Sequence, residues 1–224
     1  MDSDLLARGG ISEFIRANTR LQPVPHAPEI LLHLADSTVP LWRKTEPELV
    51  AMGLSAPFWA FAWAGGQALA RYALDHRDDI SGRRVLDLGS GSGIAAIAAA
   101  TVGAAPVVAC DIDAFADEAI ALNAEANGVY IEILRRDLLG DRAPIEPRYD
   151  VILAGDLFYE RGLGERALPF LEHHMAAGTR VLIGDLGRSD LPKSRLRKCC
   201  EYSIAVARDL EDGDVKRTAV WMLA

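Results

Sequence analysis

From residue 84 onward, short apolar runs of strand type alternate with longer stretches of helical spacing. Residues 84–88, 107–110, 131–134, 149–154 and 180–183 are predicted strands. Between them, 94–101 is alanine-rich and helical, and a further helix spans about 162–175. Asp113 is placed to cap a helix on which Phe115, Ala119, Leu122 and Ala126 form an apolar stripe. Upstream, 67–76 has helical spacing with Leu69, Tyr72 and Ala73 on one side. Strands alternating with helices predict a doubly wound α/β domain, with a parallel sheet covered on both faces.

Both ends of the chain depart from this alternation. Residues 1–55 place Pro23, Pro25, Pro28, Pro40 and Pro47 between short apolar runs, and 11–19 and 29–34 read as two short helices. The segment is too small to hold a core of its own. It is therefore expected to be a helical N-terminal extension of a main domain at 56–224. At the other end, 202–210 and 216–223 are strand-like and joined by Glu211-Asp212-Gly213-Asp214, a hairpin-turn signal.

Composition narrows the function classes. Lys and Arg number 24 against 32 Asp and Glu, a net charge of −8, which argues against a nucleic-acid partner. Residues 88–110 carry no charge, long enough to suggest a membrane span. Gly89, Gly91, Gly93, Gly103 and Pro106 break the stretch into strand, loop, helix, turn and strand, so no membrane partner is expected. The three cysteines, Cys110, Cys199 and Cys200, form no CxxC pair and read as reduced thiols. The five histidines have no zinc spacing, and no metal is expected. The start Met1-Asp2-Ser3-Asp4 lacks the basic character of a leader, and a bacterial cytoplasmic protein, monomeric, is expected.

Candidate chemistry begins in Val85-Leu86-Asp87-Leu88-Gly89-Ser90-Gly91-Ser92-Gly93. Glycines between a strand and a helix allow a sharp turn and close approach of a ligand. Their spacing is G-x-G-x-G, whereas a dinucleotide loop wants G-x-G-x-x-G and an apolar residue where Asp87 stands. A carboxylate there suits a ligand with an ammonium group. Asp111 ends the second strand about 20 residues on, where an acid accepts from both ribose hydroxyls. Asp137 follows the third strand, where it could accept from an adenine amino group. All three acids should lie at the carboxyl ends of neighbouring strands.

These motifs resemble the class I S-adenosylmethionine-dependent methyltransferases over residues 60–224, with Asp87, Gly89, Gly91 and Asp111 matching the cofactor pattern. Two segments narrow the resemblance. Pro57-Phe58-Trp59-Ala60-Phe61-Ala62-Trp63-Ala64-Gly65-Gly66-Gln67-Ala68-Leu69 and Gly155-Asp156-Leu157-Phe158-Tyr159 look like the electron transfer flavoprotein β-subunit lysine methyltransferases, with their D-x-F-Y motif. Val181–Asp185 with Gly187-Arg188, Glu201-Tyr202-Ser203, and Pro28-Glu29-Ile30 with Leu32-His33-Leu34 are also similar. The resemblance implies a seven-stranded Rossmann-like sheet ending in an antiparallel hairpin. It implies S-adenosylmethionine as cofactor, bound by Trp63, Asp87, Gly89, Ser90, Gly91, Asp111, Ile112 and Asp137. It also implies methylation of lysine on the electron transfer flavoprotein β subunit.

In that arrangement Asp156 ends the fourth strand, beside the first, near the reactive methyl. Asp156 and Tyr159 are the expected catalytic residues, Asp156 orienting the amine and Tyr159 shaping the pocket. Trp59, Phe61 and Trp63 are candidates to line the cleft, while Phe58, Phe61 and Phe158 are expected in the core. The Asn-Pro-Pro-Tyr signature is absent, which weighs against glutamine, adenine and cytosine acceptors. The basic residues Arg188, Lys193, Arg195, Arg197 and Lys198 read as a solvated helix face. Three alternatives stay open at this level: a small-molecule methyltransferase, a nicotinamide-dependent dehydrogenase, and a non-catalytic binding module.

Overall fold

The chain is described by a computed structural model over residues 8–35, 56–140, 148–205 and 215–224. Helix α1 (Arg8–Asn18) leads into an antiparallel pair, β1 (Arg20–Val24) and β2 (Ala27–Leu34). A 3-10 turn at Phe58–Ala60 precedes α2 (Ala64–Asp75) and the short α3 (Arg77–Ile80). The alternating part is β3 (Val85–Leu88), α4 (Ile94–Thr101), β4 (Val107–Asp111), α5 (Ala114–Ala126), β5 (Glu132–Arg135), β6 (Val151–Gly155), α6 (Arg161–Ala176) and β7 (Arg180–Asp185). The last strands are β8 (Leu196–Ala205) and β9 (Val215–Leu223). The predicted turn at 211–214 lies outside the described residues.

The strands form one seven-stranded sheet of order β5-β4-β3-β6-β7-β9-β8. The first five in that order are parallel, and β9 runs antiparallel to both β7 and β8. Every residue of β3 is buried, as a strand covered on both faces must be. Alternate residues serve the two layers. Val85, Ala109, Leu153 and Leu182 cluster with Leu69 and Tyr72 of α2 and Ile94 and Ile97 of α4. Leu86, Val108, Ile152 and Ile183 cluster with Ala167 and Leu171 of α6. The uncharged stretch 88–110 is thus a strand end, a loop, α4 and β4. Among the described residues no helix is long and apolar enough to cross a membrane.

Two expectations about local structure are corrected. Residues 29–34 are not a helix but most of β2. Ile30, Leu32 and Leu34 share one buried face, as the period-two geometry of a strand places them, with His33 buried on the other, and the strand gains a partner in β1. Residues 188–198 are not a helix face. They hold a 3-10 turn at Lys193–Arg195 after Pro192, and then the start of β8.

The N-terminal elements share the core of the sheet domain. Ile11 and Ile15 of α1 pack with Trp59, Phe115, Ala119 and Leu122. The edge of β2 is covered by side chains of α5 and of Asn127, its C-terminal cap. Asn127 accepts from Leu31 N (2.9 Å) and donates to Leu31 O (2.6 Å). Asn123, fully buried, accepts from His33 N (2.7 Å) and donates to Ser92 O (2.8 Å). One amide therefore joins the β1–β2 pair to the glycine loop. Substituting Asn123→Ala leaves a buried N–H and a buried carbonyl without partners, which is expected to cost about 2–4 kcal/mol. In a thermal melt this reads as a fall of roughly 5–15 °C in Tm.

Candidate active site

A cleft of about 460 Å³ opens at the carboxyl ends of β3, β4 and β6, a volume within the usual range for small-ligand sites. Parallel strands end in loops there, and the strand order reverses between β3 and β6, where this sheet class leaves a crevice. All ten sequence-predicted site residues line it: Trp63, Asp87, Gly89, Ser90, Gly91, Asp111, Ile112, Asp137, Asp156 and Tyr159.

Asp87 stands at the floor and is only 3% exposed. Its Oδ2 accepts from Ser90 Oγ (2.6 Å) and Ala96 N (3.0 Å). Burial pushes its carboxyl up to about 6, against the pull of those two hydrogen bonds. Neither donor is a cation, so a buried carboxylate facing the cleft fits an ammonium group. The loop above it runs through Gly89 at φ +67°, a conformation that disfavours side chains. A Cβ at Gly89 would also lie 2.6 Å from Leu157 Cδ2. Gly89 N and Ser90 N both donate to Cys110 O, tying the loop to β4.

Asp111 closes that loop from the next strand. Its Oδ2 accepts from Gly91 N (2.8 Å), and its Oδ1 accepts from Ile112 N (2.7 Å) and Asp113 N (3.1 Å). Ile112 is 71% exposed at the mouth, an apolar surface ready to lie against a flat ligand. Asp137 is more fully engaged. Its Oδ1 accepts from Leu139 N (3.1 Å) and Gly140 N (3.2 Å), and its Oδ2 from Arg166 (2.6 Å). The Arg166 guanidinium holds its carboxyl below the usual range.

Asp156 follows β6 with φ +56°, the single non-glycine residue at positive φ among the described residues. Aspartate tolerates that conformation better than most residues, and such strain concentrates at functional sites. Its Oδ2 accepts from Gly66 N (3.0 Å) at the start of α2. Its Oδ1 accepts from Arg188 Nη1 (2.8 Å). Burial pushes the Asp156 carboxyl up, and the guanidinium opposes that shift. Arg188 Nη1 also reaches Asp185 Oδ2 (3.2 Å), and the Asp185 side chain is fully buried.

Aromatic rings form the remaining wall. Trp63 Nε1 donates to Phe58 O (2.9 Å). The Phe58 ring meets Trp63 edge-on at 5.7 Å and lies 5.5 Å from Tyr159. Tyr159 is 47% exposed, and burial of its remainder pushes the phenol up, so it is protonated at neutral pH. Phe61 and Phe158 are buried as expected. Phe58 is corrected: it is 45% exposed at the mouth, because the 3-10 turn directs Trp59 inward and leaves Phe58 on the cleft side. Arg188, expected on a solvated basic face and quoted only as part of a family-like segment, is the cleft residue whose role the sequence did not assign. Its signal was Asp185-Leu186-Gly187-Arg188, an acid ending a strand with a glycine turn and a cation three residues on.

A glycine loop, acids near the carboxyl ends of β3 and β4, and a parallel sheet closed by an antiparallel pair define a class I S-adenosylmethionine-dependent methyltransferase. The family model for ribosomal protein L11 methyltransferase matches residues 67–157. The fold is similar to ribosomal protein L11 methylase from Lactobacillus delbrueckii subsp. bulgaricus, at 26% identity and a TM-score of 0.52, over 73% of this chain and 81% of that one. The electron transfer flavoprotein beta subunit lysine methyltransferase of Rattus norvegicus is 38% identical, over 87% of this chain and 76% of its own. That of Homo sapiens is 36% identical, over 94% and 81%. The chain belongs to the electron transfer flavoprotein beta subunit lysine methyltransferase family. Relatives bearing that name come from vertebrates, which overturns the expectation of a bacterial cytoplasmic protein. That expectation rested on the acidic start of the chain, which says nothing of the organism.

Proposed function

We propose that this enzyme methylates lysine ε-amino groups on the β subunit of the electron transfer flavoprotein. The observation that carries the reading is Asp156, a carboxylate at positive φ facing the cleft beside an aromatic wall. An acid next to aromatic rings suits an amine on a long apolar stem. The named target is taken from the relatives. On this reading 56–224 is the methyltransferase domain and 1–55 its extension.

The cofactor, when bound, supplies a methyl group already activated on a sulfonium. Asp87 takes its ammonium, Asp111 its ribose hydroxyls, Gly89, Ser90 and Gly91 its backbone contacts, and Ile112 and Trp63 its flat faces. Asp137, already paired with Arg166, has lone pairs left for an amino group. The chain's task is then to position the acceptor and exclude water. A free lysine at pH 7 must lose a proton, at a cost of about 4–5 kcal/mol. That proton would pass to water, and the neutral amine would be the acceptor of the methyl group that a bound cofactor supplies. Asp156 Oδ1 and Oδ2 each keep a lone pair with which to orient the remaining N–H groups.

The cofactor map makes a pH-dependent prediction. The Asp87 carboxyl, raised to about 6, becomes protonated as pH falls through that value and ceases to attract an ammonium. Calorimetric affinity for the cofactor should therefore drop about tenfold per unit below pH 6, levelling off at the affinity of a neutral side chain at this position. Asp87→Asn should weaken binding roughly 10–100-fold at pH 7.5 and abolish this dependence. Unchanged affinity in the variant would remove Asp87 from the site.

Incubation with radiolabelled S-adenosylmethionine, a same-species flavoprotein heterodimer and, separately, total lysate tests the acceptor. Label on lysine of the β subunit is the expected result. Label on another protein would keep lysine transfer and replace the target. Label in small molecules alone would overturn the reading.

A further inference from the structure

The cleft contains a resident cation where the acceptor amine must come. Arg188 Nη1 lies 2.8 Å from Asp156 Oδ1 and 3.2 Å from Asp185 Oδ2. Its side chain is 21% exposed, against 12% for Asp156 and 0% for Asp185. The turn that presents it is well held. Asp185 Oδ1 accepts from Gly187 N (2.6 Å) and Arg188 N (2.8 Å), and Lys193 Nζ donates to Gly187 O (2.8 Å). The guanidinium is thus positioned by its own backbone and two buried carboxylates.

Methyl transfer needs a neutral amine, whereas a bare carboxylate beside the amine stabilises the ammonium form. Asp156 can therefore orient the acceptor productively only if its charge is balanced. We propose that Arg188 is a positioning residue for methyl transfer: its ion pair with Asp156 lets that carboxylate hold the acceptor amine while the amine stays unprotonated. The inference rests on the reading of Asp156 as facing a lysine amine.

The charges around Asp156 support this division of labour. Arg188 and Asp185, both from the end of β7, are the charged groups that act on it. Asp87, Asp111 and Asp113 belong to the β3 and β4 side of the cleft, across the glycine loop. Arg136 and Asp137 follow the end of β5, Asp137 is paired with Arg166 of α6, and Tyr159 is a neutral phenol. Removing Arg188 therefore leaves Asp156 and Asp185 without their shared cation, and the acceptor amine becomes the replacement.

The test is the pH dependence of kcat from pH 7 to 10.5, since kcat reports groups in the bound complex. Labelling of the flavoprotein heterodimer by wild-type enzyme is measured first. Its absence sinks the lysine reading, separately from anything Arg188 does. Where wild type labels lysine, Arg188→Gln should move the profile midpoint up by about one unit. Turnover at pH 7.5 then falls about tenfold and recovers toward the wild-type value at the alkaline end. Arg188→Lys, which keeps the cation, should restore the midpoint. Asp185→Asn keeps the oxygen that accepts from Gly187 and Arg188 and removes a negative charge, so it should move the midpoint down. Loss of turnover by the same factor at every pH in Arg188→Gln, or an upward shift in Asp185→Asn, would overturn the proposal. If Arg188→Gln fails to fold, the direction of the Asp185→Asn shift decides it.

Discussion

Replacing Gly184 with alanine is expected to destabilise the enzyme by about 3 kcal/mol or more, at the upper end of overpacking effects. A Cβ at Gly184 would lie 2.1 Å from Gly65 O and 2.9 Å from Leu69 Cγ. The reverse substitution meets the same wall, since a Cβ at Gly65 would be 2.2 Å from Gly184 O and 2.6 Å from Asp156 Oδ2. Both obstructing oxygens of the pair are backbone atoms, so no side chain can swing aside. Helix α2 would have to lift from β7, and Gly66 N would leave Asp156 Oδ2 as it moved. Tm should fall by roughly 6–12 °C and methyl transfer with it. Gly162→Ala is the opposite control. It lies exposed in α6 with nothing closer than 3.6 Å to an added Cβ, and should change stability by up to about 1 kcal/mol in the favourable direction. Equal melting of Gly184→Ala and wild type would refute the close-packing account.

The second large effect is chemical. If Asp156 orients the acceptor as proposed, Asp156→Asn should lower kcat about 10²-fold, the cost of a misplaced reactant. Asparagine tolerates the positive φ at this position and still accepts from Gly66 N, so the local backbone is preserved. Arg188 keeps Asp185 as a partner, and no buried cation is stranded. Cofactor affinity should stay within about threefold, because Asp87 and Asp111 are untouched. Full turnover in this variant would sink the orienting role of Asp156. Weakened cofactor binding with turnover at saturation unchanged would move Asp156 into the cofactor site.

Much of this architecture could be read from the chain because the periodicities are strong. The strand at Val107–Asp111 and the helix at Ile94–Thr101 follow from local spacing, and Asp113 does cap α5, accepting from Phe115 N. Asp111 and Asp156 were legible because each follows an apolar run and Asp87 because it interrupts the end of one, and parallel strands end at one rim. Misreadings arose where the deciding partner is distant in the chain. Residues 29–34 become a strand through pairing with Arg20–Val24 and through Asn123 and Asn127 almost a hundred positions away.

The sequence by itself determined the order of elements, the glycine loop and the acids that meet at the sheet's carboxyl rim, since backbone propensity and spacing are local properties. Tertiary structure alone decided which groups those acids face. Arg188 looks like one of a run of solvated cations, yet the parallel pairing of β6 with β7 places its turn beside Asp156. Phe58 looks like a core residue, yet its neighbour Trp59 takes the core position and leaves it at the cleft mouth. Burial, ion pairing and the charge state of an acceptor depend on distances between strands, and those are set only when the sheet closes.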